Sequence, residues 1–521
     1  MTTTNVPLDD FKADELQLEN AAVTLEDVLP KHNKPWYKVP SLLKLNLLLL
    51  IPIMSSTIVG YDGSMLNGLQ SLEDWQTFFN HPTGAYLGTI SAAPTFGQCF
   101  SALFAGYLPD MMGRRPPILI GALTIIVGSI LQAAAQNYAM FFIARFIIGV
   151  GSGVAVTPSP SLLSELAYPA HRHVMTTAYN VMWYSGSTIA AWVTYGTFHM
   201  KTGGNWSWRI PSILQCFFPC IQVLFIYFLP ESPRYLVYKD RVPEARAVLA
   251  KYHADGDDSA RIVDFELAEI LQAITAEKEM KASSFKAFFL PENRLRLFIV
   301  IAVPFMQQMS GNGLVSYYLS LVLNSIGITT SSEQLVINGA LNIYNFGLAL
   351  IITAVVNRFR RRSLFIASTS GMLFVFTIWT VLSAINQQRN FEQKSLGQGV
   401  LTMIFFFFFA YNIGLLGLPY LYMTEVLPFH LRSKGMAITQ MVNGLTSVYN
   451  GFVNSIAMDA ISWKYYIVYC CILALEFCVV FFFFPETKGD TLEESAQRFD
   501  NARQKGKLEA DPDTALEMNT V

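Results

Sequence analysis

Three ionisable side chains lie inside long apolar runs: Asp62 in GYDGSMLNGL, Arg145 in ARFIIGVGSG, and Glu476. A charge in hydrocarbon is costly, so such residues face a cavity or a partner and mark a pathway. If the runs carrying Asp62 and Arg145 pack together, the guanidinium favours the ionised carboxylate, and an arriving proton breaks the pair. That is the chemistry of a proton switch. The competing reading is a static ion pair that fixes helix register. For Glu476, a hydrogen bond to a neighbouring helix is preferred over a functional role.

Uncharged polar residues form a second set. The run over 296–324 holds Gln307, Gln308, Ser310, Asn312, Tyr317 and Tyr318. Gln308 and Asn312 are four apart and share one helix face. Asn180, Trp183, Asn342, Asn345, Tyr420, Asn443 and Asn450 lie in other apolar runs. An amide offers donors and acceptors together, which suits hydroxyl groups. Aromatic faces stack on the apolar face of a pyranose. The set fits a neutral, hydroxylated ligand better than an ion, with interhelical hydrogen bonding as the alternative for any single Asn.

A third set is charged and occurs twice. Gly106, Asp110, Gly113, Arg114 and Arg115 fill a short loop, followed later by Glu165 and Arg172. Asn357, Arg358, Arg361 and Arg362 fill a matching loop, followed by Glu425 and Arg432 at the same Glu-six-Arg spacing. A repeated charge pattern between apolar runs implies two equivalent halves. Two halves that rock against each other are how secondary transporters alternate access.

The elements that must position these residues are membrane helices. Of 521 residues, 52% are hydrophobic, 39 are Phe and only 14% are charged, well below the roughly 25% of soluble domains. The apolar runs are about 20 residues long, enough to cross a hydrocarbon core of roughly 30 Å. Twelve spans are predicted, at 42–66, 86–108, 116–136, 138–159, 174–199, 211–229, 296–324, 333–356, 363–385, 397–423, 434–457 and 463–484. The expected organisation is a disordered tail (1–40), a first six-helix bundle (41–229), a polar helical linker (230–295), a second bundle (296–489) and a second tail (490–521). The loops after spans 2, 4, 8 and 10 carry GRR, HRH, NRFRRR and HLRSK. The positive-inside rule therefore puts both termini in the cytoplasm. The sequon Asn205-Trp206-Ser207 falls in a predicted outer loop and is a glycosylation candidate.

Other features exclude whole classes. The net charge of −2 gives no ground for a nucleic-acid partner. The six cysteines fall inside apolar runs and read as small core residues. The seven His show no metal-ligand spacing, and no nucleophile, base and oxyanion arrangement is discernible. No enzyme, metal or cofactor is expected, and a proton is the expected coupling ion. No cleavable signal peptide is evident, because the first 40 residues are polar and acidic. GVGSG at 149–153 sits inside a span and lacks a Lys, so it predicts close helix packing and not a phosphate loop.

PESPR at 230–234, PETKG at 485–489, GRR at 113–115, the two Glu-six-Arg pairs, GYD at 60–62 and QQMSG at 307–311 occur in that setting. Together they resemble a sugar porter of the major facilitator superfamily, over about residues 45–495. The resemblance implies an all-α major facilitator fold, with two six-helix bundles, short cytoplasmic helices between them and a central site at mid-membrane. It implies an inner charge network of Asp110, Arg114, Arg115, Glu165, Arg172 and Glu231, with Arg361, Arg362, Glu425, Arg432 and Glu486, that stabilises an outward-facing state. By position, Asn180 takes the place of a sugar-binding Gln in span 5. Gln307, Gln308, Tyr317 and Tyr318 match the span 7 sugar motif, Asn345 or Asn342 the span 8 Asn, and Asn443 the span 11 Asn. Tyr420 stands where hexose carriers usually have Trp. Asp62 and Arg145 match the proton-coupling pair of the symporters.

The chain also departs from the family pattern. Met111 replaces the first Arg of the loop 2–3 motif, and Asn357 and Arg360 alter its second copy. Span 7 reads SGNG, with Asn312 one place earlier than in hexose carriers. With Asn180, NWSWRIP at 205–211, KYHADGD at 251–257 and Glu476, these features resemble the fungal lactose permease and cellodextrin transporter branch. The implied function is a monomeric, proton-coupled symporter of a fungal plasma membrane that imports a disaccharide or a hexose. A uniporter is opposed by Asp62. A transporter-like sugar sensor is opposed by tails of only about 40 and 35 residues and by gating charges that are mostly intact.

Overall fold

The computed structural model describes residues 35–200, 205–280, 285–291, 293–355, 358–427 and 429–487. Both predicted tails lie largely outside that set, as does Asn357. Among the described residues the secondary structure is helical, with no strand. The chain divides into two compact units: Met1–His81 with Ala93–Lys281, and Pro82–Ala92 with Ala282–Val521.

In the first unit the long helices are α1 (Leu50–Gln70), α2 (Gly84–Ala105, shared with the second unit), α3 (Arg115–Ala133), α4 (Tyr138–Val156), α5 (Ser159–Leu166), α6 (Arg172–Phe198), α7 (Trp206–Leu214) and α8 (Phe217–Phe225). α1 packs along α6, and α3 along α4. Small residues make both contacts possible. A Cβ on Gly60 would overlap the Trp183 carbonyl, and one on Gly186 would overlap the Thr57 carbonyl. Without Cβ atoms there, two backbones approach closely and dispersion holds them. GVGSG has the same purpose: Gly149 faces the Pro94 backbone and Gly151 the Gly121 carbonyl, as the sequence indicated.

Three further helices follow: α9 (Pro233–Tyr238), α10 (Val242–His253) and α11 (Arg261–Met280). The sequence sets them apart as a linker starting at 230, but the unit boundary falls after Lys281. Their apolar faces explain the shift. Ala245, Leu249, Ile262, Val263 and Leu267 share one buried cluster with Leu42, Leu45, Leu163 and Leu166 from the ends of the spans.

The second unit holds α12 (Arg294–Met309), α13 (Asn312–Asn324), α14 (Ser331–Val355), α15 (Arg361–Gln388), α16 (Lys394–Tyr411), α17 (Leu418–Val426), α18 (Phe429–Ile461) and α19 (Tyr465–Phe483). The predicted span 7 is broken. Gly311, at φ +100°, separates α12 from α13, and Tyr318 leaves helical geometry at φ −138° and ψ 35°. The run of span 10 is broken too, by a π-helical turn over Asn412–Leu416. Irregular backbone inside a membrane persists where side chains or a cavity satisfy it. Around these breaks Phe376, Trp379, Phe407 and Tyr466 form an aromatic core.

Nine stretches among the described residues are long and apolar enough to cross a membrane. One of them, Lys434–Phe483, contains most of α18 and all of α19. α2 and α6, at 22 and 27 residues, are long enough at about 1.5 Å per residue but less apolar.

Candidate functional site

The first unit brings Asp62 and Arg145 together. α1 carries the carboxylate and α4 the guanidinium, with Nη1 of Arg145 3.4 Å from Oδ1 of Asp62. The side chains are 10% and 3% exposed. A third group completes the arrangement. Gln215, in the break between α7 and α8, donates Nε2 to the same Asp62 oxygen at 2.9 Å. Gln215 is buried; in the sequence it is only a lone Gln in the apolar run SILQCFF, with nothing to mark its role. An ion pair and a hydrogen bond thus converge on one carboxylate oxygen. A proton delivered to Asp62 cancels the charge that holds Arg145, so the trio can exchange a proton for a helix–helix contact.

The second unit gathers the amides. Gln308 donates Nε2 to Oδ1 of Asn443 at 2.9 Å, and Asn450 donates to the Gln308 carbonyl. Asn312 donates to the Tyr411 hydroxyl at 3.3 Å and accepts from Ser316 at 2.8 Å. Tyr411 in turn donates to the Gln307 carbonyl at 3.0 Å, and Gln307 donates to the Leu415 carbonyl of the π turn at 3.2 Å. Asn412 donates to Asn345 at 3.2 Å. The two helix breaks are therefore bridged by the bonds among Gln307, Asn312, Tyr411 and Leu415, with the Gln308–Asn443–Asn450 and Asn412–Asn345 bonds as further groups. Gln307, Gln308, Asn312, Tyr317, Tyr420 and Asn443 stay only half-buried, which leaves polar atoms for a ligand. Tyr411, Asn412, Ser316 and Asn450 also take part; of these only Asn450 stands out in the sequence as a polar residue of an apolar run.

The repeated charges build the same structure twice. In the first unit Glu165 meets Nε of Arg114 at 3.3 Å and accepts from the Ser232 hydroxyl. Glu231 accepts from the backbone N–H groups of Arg114 and Arg115 at 2.9 and 3.2 Å. In the second unit Glu425 meets Nη2 of Arg361 at 3.2 Å and accepts from the Thr487 hydroxyl at 2.5 Å. Glu486 accepts from the backbone N–H groups of Arg361 and Arg362 at 2.8 and 3.2 Å. Even the second arginines match: Arg115 reaches the Tyr227 carbonyl and Arg362 the Phe481 carbonyl. Gly113, at φ +95°, leaves the room that Glu231 occupies; a Cβ there would lie 2.5 Å from its carboxylate. PESPR and PETKG thus supply a carboxylate and a hydroxyl to each half.

A family model described as "Sugar (and other) transporter" matches residues 48–499. The chain belongs to that family. It is a sugar porter of the major facilitator superfamily, a transporter and not an enzyme. Hexose transporter 2 of Kluyveromyces lactis is 29% identical over 95% of this chain and 88% of its own length. The MFS-type transporter oryC of Aspergillus oryzae is 29% identical over 84% of this chain and 82% of its own. A solved structure of XylE, titled a major facilitator superfamily proton:xylose symporter bound to 6-bromo-6-deoxy-D-glucose, aligns with TM-score 0.70. It is 20% identical and covers 87% of this chain and 99% of that one. That likeness shows the fold. These relatives do not single out the lactose permease and cellodextrin branch.

Several expected residues of this porter sit elsewhere. Tyr318 is fully buried and its hydroxyl donates to the Gly451 carbonyl, so it braces the kink. Asn342 donates to the Asn338 carbonyl one turn back at 2.8 Å, within α14. Asn180 is exposed and Trp183 half-buried on one face of α6, a helix of the first unit, whereas the amide network is built within the second. Asp110 is exposed, and no ion pair joins it or Arg172 to the network among the described residues. The Arg432 side chain lies outside the described set. Glu476 is buried, and neither carboxylate oxygen has a hydrogen-bond partner among the described residues, contrary to the expected bond to a neighbouring helix. Asn205 caps the start of α7, and its sequon Ser207 already donates its hydroxyl to Asp74 at 2.5 Å.

Proposed function

We propose that this porter is a proton-coupled symporter that imports a disaccharide or a hexose by alternating access. The observation that carries the reading is the buried Asp62, held by Arg145 and Gln215. A desolvated carboxylate with one cationic partner is a natural proton acceptor in a membrane helix. Protonation frees Arg145, and the contact between α1 and α4 loosens. Sugar binds to the half-buried amides Gln307, Gln308, Asn312 and Asn443, with Tyr317 and Tyr420 of the same unit. The duplicated carboxylate–arginine networks bias which face is open. The XylE structure titled a proton:xylose symporter supports the coupling, and the hexose transporters among the relatives support the substrate class.

The protein is proposed to act as a monomer in the plasma membrane with both termini in the cytoplasm. The test is uptake of a panel of mono- and disaccharides in yeast lacking its own sugar carriers, with external pH recorded. Symport predicts alkalinisation of the medium on adding the transported sugar, and uptake abolished by a protonophore. Uptake without proton movement would assign a uniporter.

A further inference from the structure

KYHADGD at 251–257 is a sequence motif that neither the sugar site nor the coupling pair uses. Its His253 ends α10 and is 4% exposed. One ring nitrogen, Nδ1, lies 2.6 Å from the Glu266 carboxylate on α11. The other, Nε2, lies 3.1 Å from the Leu166 carbonyl at the end of α5. A carbonyl only accepts, so Nε2 is the donor there. The next residue back along α5 is Glu165, which holds Arg114 and Ser232. The imidazole thus ties two helices outside the apolar runs to the last turn that presents the gating carboxylate.

The surroundings make this tie specific. Tyr168 packs edge-on to His253 with ring centroids 5.6 Å apart. Burial, and then the Glu266 carboxylate, hold its hydroxyl above the usual range, so it stays neutral. His171 also packs edge-on to Tyr168, and burial pushes its imidazole below its ordinary value. Nearby on α10 and α11, Arg246 pairs with Asp264 at 2.7 Å at the surface. Glu266 is the carboxylate that His253 meets. An unpaired buried carboxylate is costly, so each partner needs the other.

We propose that His253 is a positioning residue of the gate, acting through the Leu166 carbonyl to hold Glu165 where Arg114 and Ser232 can reach it. The inference rests on the gating role of Glu165 proposed above. In this arrangement, whatever moves α10 and α11 changes the gate without touching the sugar site.

The experiment is a double-mutant cycle in the full-length transporter, with His253→Ala, Glu165→Gln and both. Readouts are maximal uptake, half-saturation and cysteine accessibility from each side. His253→Ala is expected to lower maximal uptake about threefold to tenfold, the range of one lost hydrogen bond. Half-saturation should hold, and sidedness should shift in the same direction as in Glu165→Gln. On top of Glu165→Gln the His253 change should add little, since coupled residues are not additive. His253→Gln, which keeps an N–H for the carbonyl, should recover part of the loss and guards against simple misfolding. Equal effects of His253→Ala with and without Glu165→Gln, or no effect on sidedness in either case, would refute this positioning role alone. Unchanged sidedness in Glu165→Gln would remove the gating role as well.

Discussion

Glu165→Gln tests what the duplicated charge networks do. The side chains of Arg114 and Glu165 are each only 13% exposed. That is drier than a surface pair, whose contribution is typically about 0–1 kcal/mol. Glu165 accepts from Arg114 and from the Ser232 hydroxyl at once. A hydrogen bond to a charged group contributes about 1.5–3 kcal/mol, against about 0.5–1.5 for a neutral one. Gln keeps the shape and one acceptor, so the change should remove about 1–2 kcal/mol from the state in which the network is assembled. At about 1.4 kcal/mol per tenfold, the population shifts roughly fivefold to thirtyfold. If the assembled network favours the outward-facing state, the variant moves inward-facing. The assay is the rate of labelling of single cysteines placed on each side of the membrane, with net uptake and protein level measured alongside. Faster labelling from the cytoplasmic side, slower uptake and normal protein level are expected. Unchanged labelling, or faster labelling from outside, would refute the reasoning. Glu425→Gln should behave alike, because Arg361 and Thr487 repeat the geometry, and the double variant should shift further than either.

Other outcomes follow from the same contacts. Gln308→Ala strands Oδ1 of Asn443 and removes a ligand group, so half-saturation should rise about tenfold, with Asn312→Ala similar; normal affinity at normal surface expression would assign α12 and α13 to packing. Tyr318→Phe should lower thermal stability by about 1 kcal/mol with half-saturation unchanged, since its hydroxyl is bound to Gly451; weakened sugar affinity would return Tyr318 to the site. Gly60→Ala should sharply reduce folded protein in fluorescence-detected gel filtration, because the new methyl overlaps the Trp183 carbonyl; a normal peak would mean that α1 and α6 pack less closely than described.

What the sequence reveals depends on whether a feature is local or relational. The two Glu-six-Arg pairs mark the duplicated network, but the spacing does not say which arginine each glutamate meets. Ala167 is extended at the end of α5, so Arg172 begins a new helix and Glu165 turns to Arg114 instead. Asp62 and Arg145 are legible because charge in an apolar run demands a partner. Gln215 is not, because a single amide among apolar residues has no period. The amides of span 7 are visible as a cluster, yet the break at Gly311 and the kink at Tyr318 decide which of them remain half-buried. The π turn at Asn412–Leu416 leaves no mark in the phenylalanine-rich run before it. The linker helices are legible as amphipathic, but not the apolar surface that their buried faces meet.

Proton movement driven by sugar is the central claim, and Asp62→Asn in proteoliposomes tests it most directly. Asparagine keeps the size of Asp62 and removes the titrating group, so the lumenal pH response to added sugar should vanish while sugar counterflow persists. The wild-type protein should acidify the lumen when sugar is added outside, and should concentrate sugar when a proton gradient is imposed. An Asp62→Asn protein that still moves protons with sugar, or still accumulates sugar against its gradient, would contradict the account.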